Sequence, residues 1–230
     1  MAELVQDKVL GAMRFVDATT LLKVDGPLQV KADNTVVRTN RSGLYVIWSA
    51  PAAASVVFTV TDPGASYLPR TFTVQLPRDP DPANAAQPSS LFQPLEVRLL
   101  PSSTATIFSG WAVIRARVKK QGQDQVLSGA LIRVVNATDQ SLMATGMSDA
   151  RGEALVRVPG VPVTTFDSGS GPVTVNEISV NIQTVFDPAI TGVPDPDDLE
   201  KRKNSVPSST AGAKLASGRV LVVDLSVAFA

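Results

Sequence analysis

Short runs in which apolar and polar residues alternate recur along the whole chain, and they constrain its fold more than any other feature. Residues 28–32, 71–76 and 177–186 are three of these runs. Successive side chains of a β-strand point to opposite faces, so a period of two predicts strands that each bury one face. Proline, glycine, asparagine and aspartate separate the runs, as at Asp62-Pro63-Gly64, and these residues favour turns. The pattern predicts an all-β chain.

The length and the spacing of the runs predict two tandem, mainly antiparallel β-sandwiches of an Ig-like kind. A chain of 230 residues is long enough for two domains that each bury a core. We place an N-terminal sandwich with an N-terminal arm at residues 1–105, and a second sandwich at 106–230. Long polar loops are expected at 77–94 and 187–216, with one helical turn at 197–203, where acids lead and bases trail.

The two halves share a weak internal repeat. Gly26 precedes a strand, and Gly43 precedes a second strand that a proline ends. Gly129 and Gly152 occupy the same places in the second half, although the spacing between the glycines differs. Duplication and chance similarity between two β domains both explain this pattern.

Composition excludes several classes of function. The chain has no cysteine and no histidine, which removes disulfides, thiolate metal sites and the usual general base. Lys+Arg and Asp+Glu are both 21, so there is no excess of positive charge for a nucleic acid. No segment has about 20 consecutive apolar residues, the length that a membrane span requires. We therefore expect no enzyme activity, no cofactor, no nucleic-acid partner and no membrane span.

The second half resembles a known family. The segment that carries the resemblance is GALIRVVNATDQSLMATGMSDARGEALVRVPGV, residues 129–161. It is similar to the carboxypeptidase regulatory-like family, which has a transthyretin-like, seven-stranded β-sandwich fold. Gly129, Thr145, Ser148, Asp149 and Gly152 match the positions that mark the family, and the similarity covers roughly residues 112–190. The resemblance implies a fold and does not specify an activity.

The first half resembles β-proteins that are encoded with bacterial extracellular contractile injection systems, which are phage-tail-like particles. The similar elements are the turn and strand at residues 40–45 and the run from Asp62-Pro63 to residues 67–70. This resemblance implies a structural or adaptor subunit in the cap, collar or sheath-end region. Its implied partners are tube, sheath or cap subunits and further copies in a homo-oligomeric ring. We expect synthesis in the cytoplasm and assembly into a particle that can be released.

Two turns contain the residues that we assign to structure. Asp149 is expected to bond backbone amides while Gly152 takes a positive φ, and Ser42 with Gly43 forms the turn of the first half. The aspartates at 195, 197 and 198 with Glu200, and the pair at 79 and 81, are the densest carboxylate groups. Calcium could use such oxygens, but adjacent prolines and bases favour solvated loops, and we assign no metal site.

Tyr67, Leu68 and Arg70 are the candidate interface residues. A tyrosine and an arginine beside the rigid Pro69 suit an interface anchor, whereas the alternative is a loop that packs on its own sandwich. The N-terminal arm and the apolar C-terminal strand are also suited to strand addition by a neighbouring subunit. The alternative function is a carbohydrate- or surface-binding module, which an exposed aromatic row or a calcium-ordered loop would favour.

Overall fold

The computed structural model describes residues 8–51, 55–162 and 176–230. Residues 1–7, the greater part of the predicted N-terminal arm, lie outside the described residues. The chain divides into two compact units. Unit 1 comprises the described residues of Met1–Pro63 together with Pro69–Leu99, and unit 2 comprises Gly64–Leu68 with the described residues of Leu100–Ala230.

Unit 1 contains seven strands among its described residues. They are β1 (Gly11–Asp17), β2 (Gln29–Lys31), β3 (Val36–Thr39), β4 (Tyr45–Ser49), β5 (Ser55–Thr61), β6 (Arg70–Gln75) and β7 (Leu95–Leu99), with a short 3-10 helix at Pro82–Asn84 between the last two. One sheet has the order β3-β4-β1-β7 and the other the order β2-β5-β6. Alternate residues of β5 and β6 are buried, as the period of two predicts.

Aromatic rings connect the two sheets of unit 1. Phe58 on β5 stacks on Phe72 of β6, with ring centroids 5.6 Å apart. Phe72 meets Phe15 on β1 edge-to-face at 6.1 Å, and Phe15 meets Tyr45 on β4 at 5.0 Å. Phe58 is fully buried, so this cluster forms the centre of the unit 1 core.

Unit 2 also contains seven strands in its described part, together with one helix. They are β8 (Ala112–Lys120), β9 (Leu131–Asn136), β10 (Leu142–Met147), β11 (Glu153–Val158), β12 (Glu177–Val185), α1 (Pro196–Arg202), β13 (Ser208–Ala216) and β14 (Val220–Val227). The sheets have the orders β11-β8-β14 and β10-β9-β12-β13. Their facing sides bury an aliphatic core around Ile114, Ile132, Val156 and Ile182. The chain is therefore all-β, with two β-sandwiches in tandem.

The two units follow one strand plan. In each unit the first strand pairs antiparallel with the fourth and parallel with the seventh. In each, the fifth strand lies between the second and the sixth. The third strand is the exception, because β3 pairs with β4, whereas β10 pairs with β9 in the opposite sheet. Of the strand pairings that the structure describes, only the two between first and seventh strands are parallel, so the sheets are mainly antiparallel.

The prediction of a loop at 187–216 is partly wrong, because β13 occupies the last nine of these residues. The segment Ser-Ser-Thr-Ala-Gly-Ala at 208–213 lacks the large apolar side chains that signal a strand. It is extended because every one of its residues pairs with β12. The predicted helical turn is confirmed as α1, which Asp195 caps by accepting a hydrogen bond from the amide of Asp197.

Candidate functional site

The same corner precedes the fourth strand of both units. In unit 1 the amide of Gly43 donates to the Asn40 carbonyl, and the Asn40 Oδ1 accepts from the amide of Leu44. In unit 2 the amide of Gly152 donates to the Asp149 carbonyl, and the Asp149 Oδ1 accepts from the amide of Glu153.

Both corner glycines have φ +73°. This left-handed conformation is one that other residues adopt only with strain. The structure thus places Asp149, Gly152 and Gly43 within the turns themselves, and the Ser42 carbonyl accepts a hydrogen bond from the Lys23 ammonium.

The second carboxylate oxygen of Asp149 attaches the corner of unit 2 to the segment that precedes β8. The Ser103 hydroxyl donates to Asp149 Oδ2 at 2.7 Å, and the Arg151 guanidinium lies 3.2 Å from the same oxygen. Burial acts to raise the pKa of Asp149, but the hydrogen bonds from Ser103 and from the amides of Glu153 and Arg151 outweigh it. They hold that pKa below the ordinary value of an aspartate. The cluster combines a carboxylate, a hydroxyl and a guanidinium, and the amides of Arg151 and Glu153 that donate to Asp149 Oδ1 show that the carboxylate stabilises the turn.

Asp149→Asn is expected to lower stability at neutral pH by about 1 kcal/mol and to leave the corner formed. Asn40 shows that an amide oxygen can accept the amide bond of this turn. Since the folded pKa of Asp149 is depressed, its charge stabilises the fold above the unfolded pKa of about 3.9. That contribution is lost as the pH falls through the folded pKa.

Urea unfolding of both proteins between pH 7 and pH 2 measures this effect. The stability difference between wild type and Asp149→Asn should shrink as the pH falls and disappear below the folded pKa. Asn40→Asp, at the matching corner, is the control. A difference that stays constant across the whole range would contradict an electrostatic role for Asp149.

The dense carboxylate groups are engaged with protein partners. Glu200 accepts from both Arg133 and Lys203, at 2.6 and 2.8 Å. Asp198 pairs with Arg202 at 2.7 Å. Asp79 accepts from the amide of Asp81 and from the side-chain amide of Asn84. Within the described ranges, no group of three or more acidic side chains is arranged to hold a metal ion.

Arg70 does not lie on the surface, which corrects its assignment as an exposed anchor. Its side chain is buried in unit 1, where Nη1 donates to the Arg98 carbonyl at 2.6 Å and the guanidinium lies 5.9 Å from the Phe72 ring centre. The alternation of β6 directs this position to the core side, and the carbonyl and the ring compensate the charge there.

Tyr67 and Leu68 are half-buried in unit 2. Their backbone pairs with the segment that follows β7. The amide of Leu68 donates to the Leu100 carbonyl, and Tyr67 forms an isolated antiparallel β-bridge with Pro101. Their role as interface residues stays a prediction.

Among the strands that the structure describes, β2 forms an unpaired edge of its sheet in unit 1. In the described part of the chain β2 pairs only with β5, whereas its counterpart β9 lies between β10 and β12. Because β3 joins the other sheet, no described strand occupies the position beside β2. A groove of about 690 Å³ lies there, and it is lined by Val30, Lys31, Ala32, Asp33, Thr35, Val36, Val37, Val57 and Thr59.

The groove is the candidate functional site of the chain. Val57 is 57% exposed and Val36 is 43% exposed, beside backbone groups of β2 that no other strand pairs within the described residues. Apolar side chains next to an open edge are typical of strand addition by another chain. Sequence reasoning missed this site because it depends on which sheet the third strand joins, and local sequence does not specify that choice.

Comparisons with known proteins give structural similarity alone. No protein-family model and no curated protein matches the chain. Similar solved structures include the Bacillus anthracis TIE protein, at 10% identity over 96% of this chain and 34% of that chain, with a TM-score of 0.32. The Streptococcal ancillary pilin matches at 10% identity over 81% of this chain and 48% of that one, with a TM-score of 0.30. The shaft pilin SpaA from Lactobacillus rhamnosus GG matches at 12% identity over 84% and 69%, with a TM-score of 0.31. The chain thus spans about a third of the first structure and about half of the second.

Proposed function

We propose that the chain is a structural or adaptor subunit of a phage-tail-like contractile injection particle, in its cap, collar or sheath-end region. It acts through protein–protein contacts with tube, sheath or cap subunits. The observation that carries the proposal is the open β2 edge with its exposed valines, because such an edge is a surface for another protein chain. The elements at residues 40–45 and 62–70, through which the first half resembles particle proteins, supply the particle class.

The second unit has the role of a rigid carboxypeptidase regulatory-like module in this proposal. Its seven described strands and the corner at Asp149 and Gly152 support that reading. The Asp149 corner is engaged with Ser103, Arg151 and backbone amides, and the chain contains no histidine or cysteine. The proposed function therefore involves binding and no catalysis. Among the described residues, no helix has the length and apolar character that crossing a bilayer requires.

Co-sedimentation tests the proposed function. A tagged chain expressed in its native cell should pellet with the particles and co-purify with tube or sheath proteins, in constant proportion to them. A strain that lacks the sheath is the matched control, because the chain should then stay in the supernatant. If the chain stays in the supernatant while intact particles pellet, the proposed function is wrong.

A further inference from the structure

We propose that the β2 edge of one copy pairs with the β14 edge of a second copy, so that the chain assembles head to tail. This inference deepens the proposed function, on which it rests for the expectation that the chain works within an assembly. It names the partner as the chain itself and the contact as two sheet edges.

The strand plan shows that the position beside β2 fits a strand. In unit 2 the counterpart of β2 is β9, and β10 occupies the position beside it in antiparallel register. There β10 lies close to β11, since a Cβ at Gly146 would fall 2.6 Å from the Val156 side chain. In unit 1 the same position is the groove, whose half-buried Val30 and Val37 would be covered by the apolar residues of an added strand.

The β14 strand has the complementary chemistry. It is the last strand of its sheet and, in the part of the chain that the structure describes, pairs only with β8. Val222 is 77% exposed and Val220 is 47% exposed on its outward side. A second strand beside β14 would bury apolar surface of these two valines, which favours pairing. The same holds for the β2 edge and its exposed valines.

Charge selects β14 in preference to β13, the other edge on the same side of unit 2. Lys31 is exposed on the outward side of β2, and Asp224 is exposed on the outward side of β14. When these two residues face each other, the inward neighbour of Val30 is apolar in either strand direction, Val223 or Leu225. β13 instead has no acidic residue to face Lys31, since its one charged side chain is Lys214, which pairs with Glu177 of β12, and the described residues of β13 include no exposed large apolar side chain.

Different surfaces meet in this contact, so it is heterologous. A heterologous contact builds a ring when its rotation closes and a filament when it does not. The predicted homo-oligomeric ring is the closed form of this contact.

A charge swap between Lys31 and Asp224 tests the inference by sedimentation velocity over a range of concentrations. The wild-type chain should form oligomers, and Lys31→Asp or Asp224→Lys alone should weaken association by about tenfold or more. The double variant should recover association to within about threefold of wild type. Lys214→Glu on β13 is the control and should leave association unchanged.

The melting temperature of every variant is also measured. This control is needed because Arg117 of β8 lies opposite position 224, and a lysine at that position repels Arg117. Val222→Ser gives a second test, because it removes the exposed apolar side chain without placing a new charge opposite Arg115 of β8, and it should also weaken association. A wild-type chain that is monomeric at every concentration overturns the inference, and so does an oligomer that neither single reversal weakens. A chain that is monomeric alone but pellets with particles overturns this inference and leaves the proposed function standing. An oligomer that stays out of intact particles supports this inference and overturns the proposed function.

Discussion

Gly152→Ala should destabilise unit 2 by about 3 kcal/mol or more, because two costs coincide at this corner. The first cost is conformational, since φ is +73° and a Cβ is strained there. The second is steric, because the new Cβ would fall 2.8 Å from the Val118 carbonyl oxygen and 2.9 Å from the Val126 Cβ. The carbonyl cannot move freely, since it accepts a hydrogen bond from the amide of Leu127.

Two other glycines separate these costs. Gly160 has the same φ of +73°, and among the described residues no atom beyond its chain neighbours lies within 4 Å of an added Cβ, so Gly160→Ala should show the conformational cost alone, about 1–2 kcal/mol. Gly43 is the matching corner of unit 1, and its added Cβ would meet the flexible end of Lys23, which can move away. Gly43→Ala should therefore cost nearly as little as Gly160→Ala.

Each unit contains one tryptophan, which makes the measurement specific. Trp48 lies on β4 of unit 1, and Trp111 precedes β8 of unit 2. In a Trp48→Phe background the remaining fluorescence reports unit 2, and urea unfolding followed by it gives the loss of stability. An equal loss for Gly152→Ala and Gly160→Ala would contradict the steric contribution.

The sequence predicted the strands well because they depend on local alternation. Alternation identified the strands of both sandwiches apart from β13, and the sequence also indicated the glycine corners at Gly43 and Gly152. It could not show that Asn40 and Asp149 build the same hydrogen-bonded corner, because that equivalence depends on backbone geometry. β13 was missed because its small side chains carry no signal, and its strand conformation comes from β12 alone.

The candidate site was predicted less well, because it depends on contacts between distant parts of the chain. Arg70 has a charged side chain, which sequence reasoning places on the surface, but the Arg98 carbonyl and the Phe72 ring accommodate it in the core. The groove lies beside β2 because β3 pairs with β4, so that β2 has no second partner among the described strands. In unit 2 the third strand, β10, instead pairs with β9, the counterpart of β2. A single strand that changes sheets thus converts a closed side of a sandwich into an open one.

Phe58→Ala should destabilise unit 1 by about 3–5 kcal/mol, the range for removing a fully buried phenylalanine ring. The substitution removes the ring that stacks on Phe72 and leaves a cavity between the sheets. Phe72 contacts Phe15 of the opposite sheet, so the loss extends across the core. Trp48 fluorescence in a Trp111→Phe background measures the unfolding of unit 1.

Val57→Ala, one residue earlier on β5, is the matched control. Val57 points away from the core and is 57% exposed, so its truncation should change the stability of unit 1 by no more than about 0.5 kcal/mol. Because Val57 lines the groove, the same variant should weaken the association of copies in sedimentation velocity. Phe58→Ala would then affect the stability of unit 1, and Val57→Ala would affect association, although the two residues are neighbours on opposite faces of β5. A loss of stability as large for Val57→Ala as for Phe58→Ala would contradict the assignment of the Val57 face to the groove.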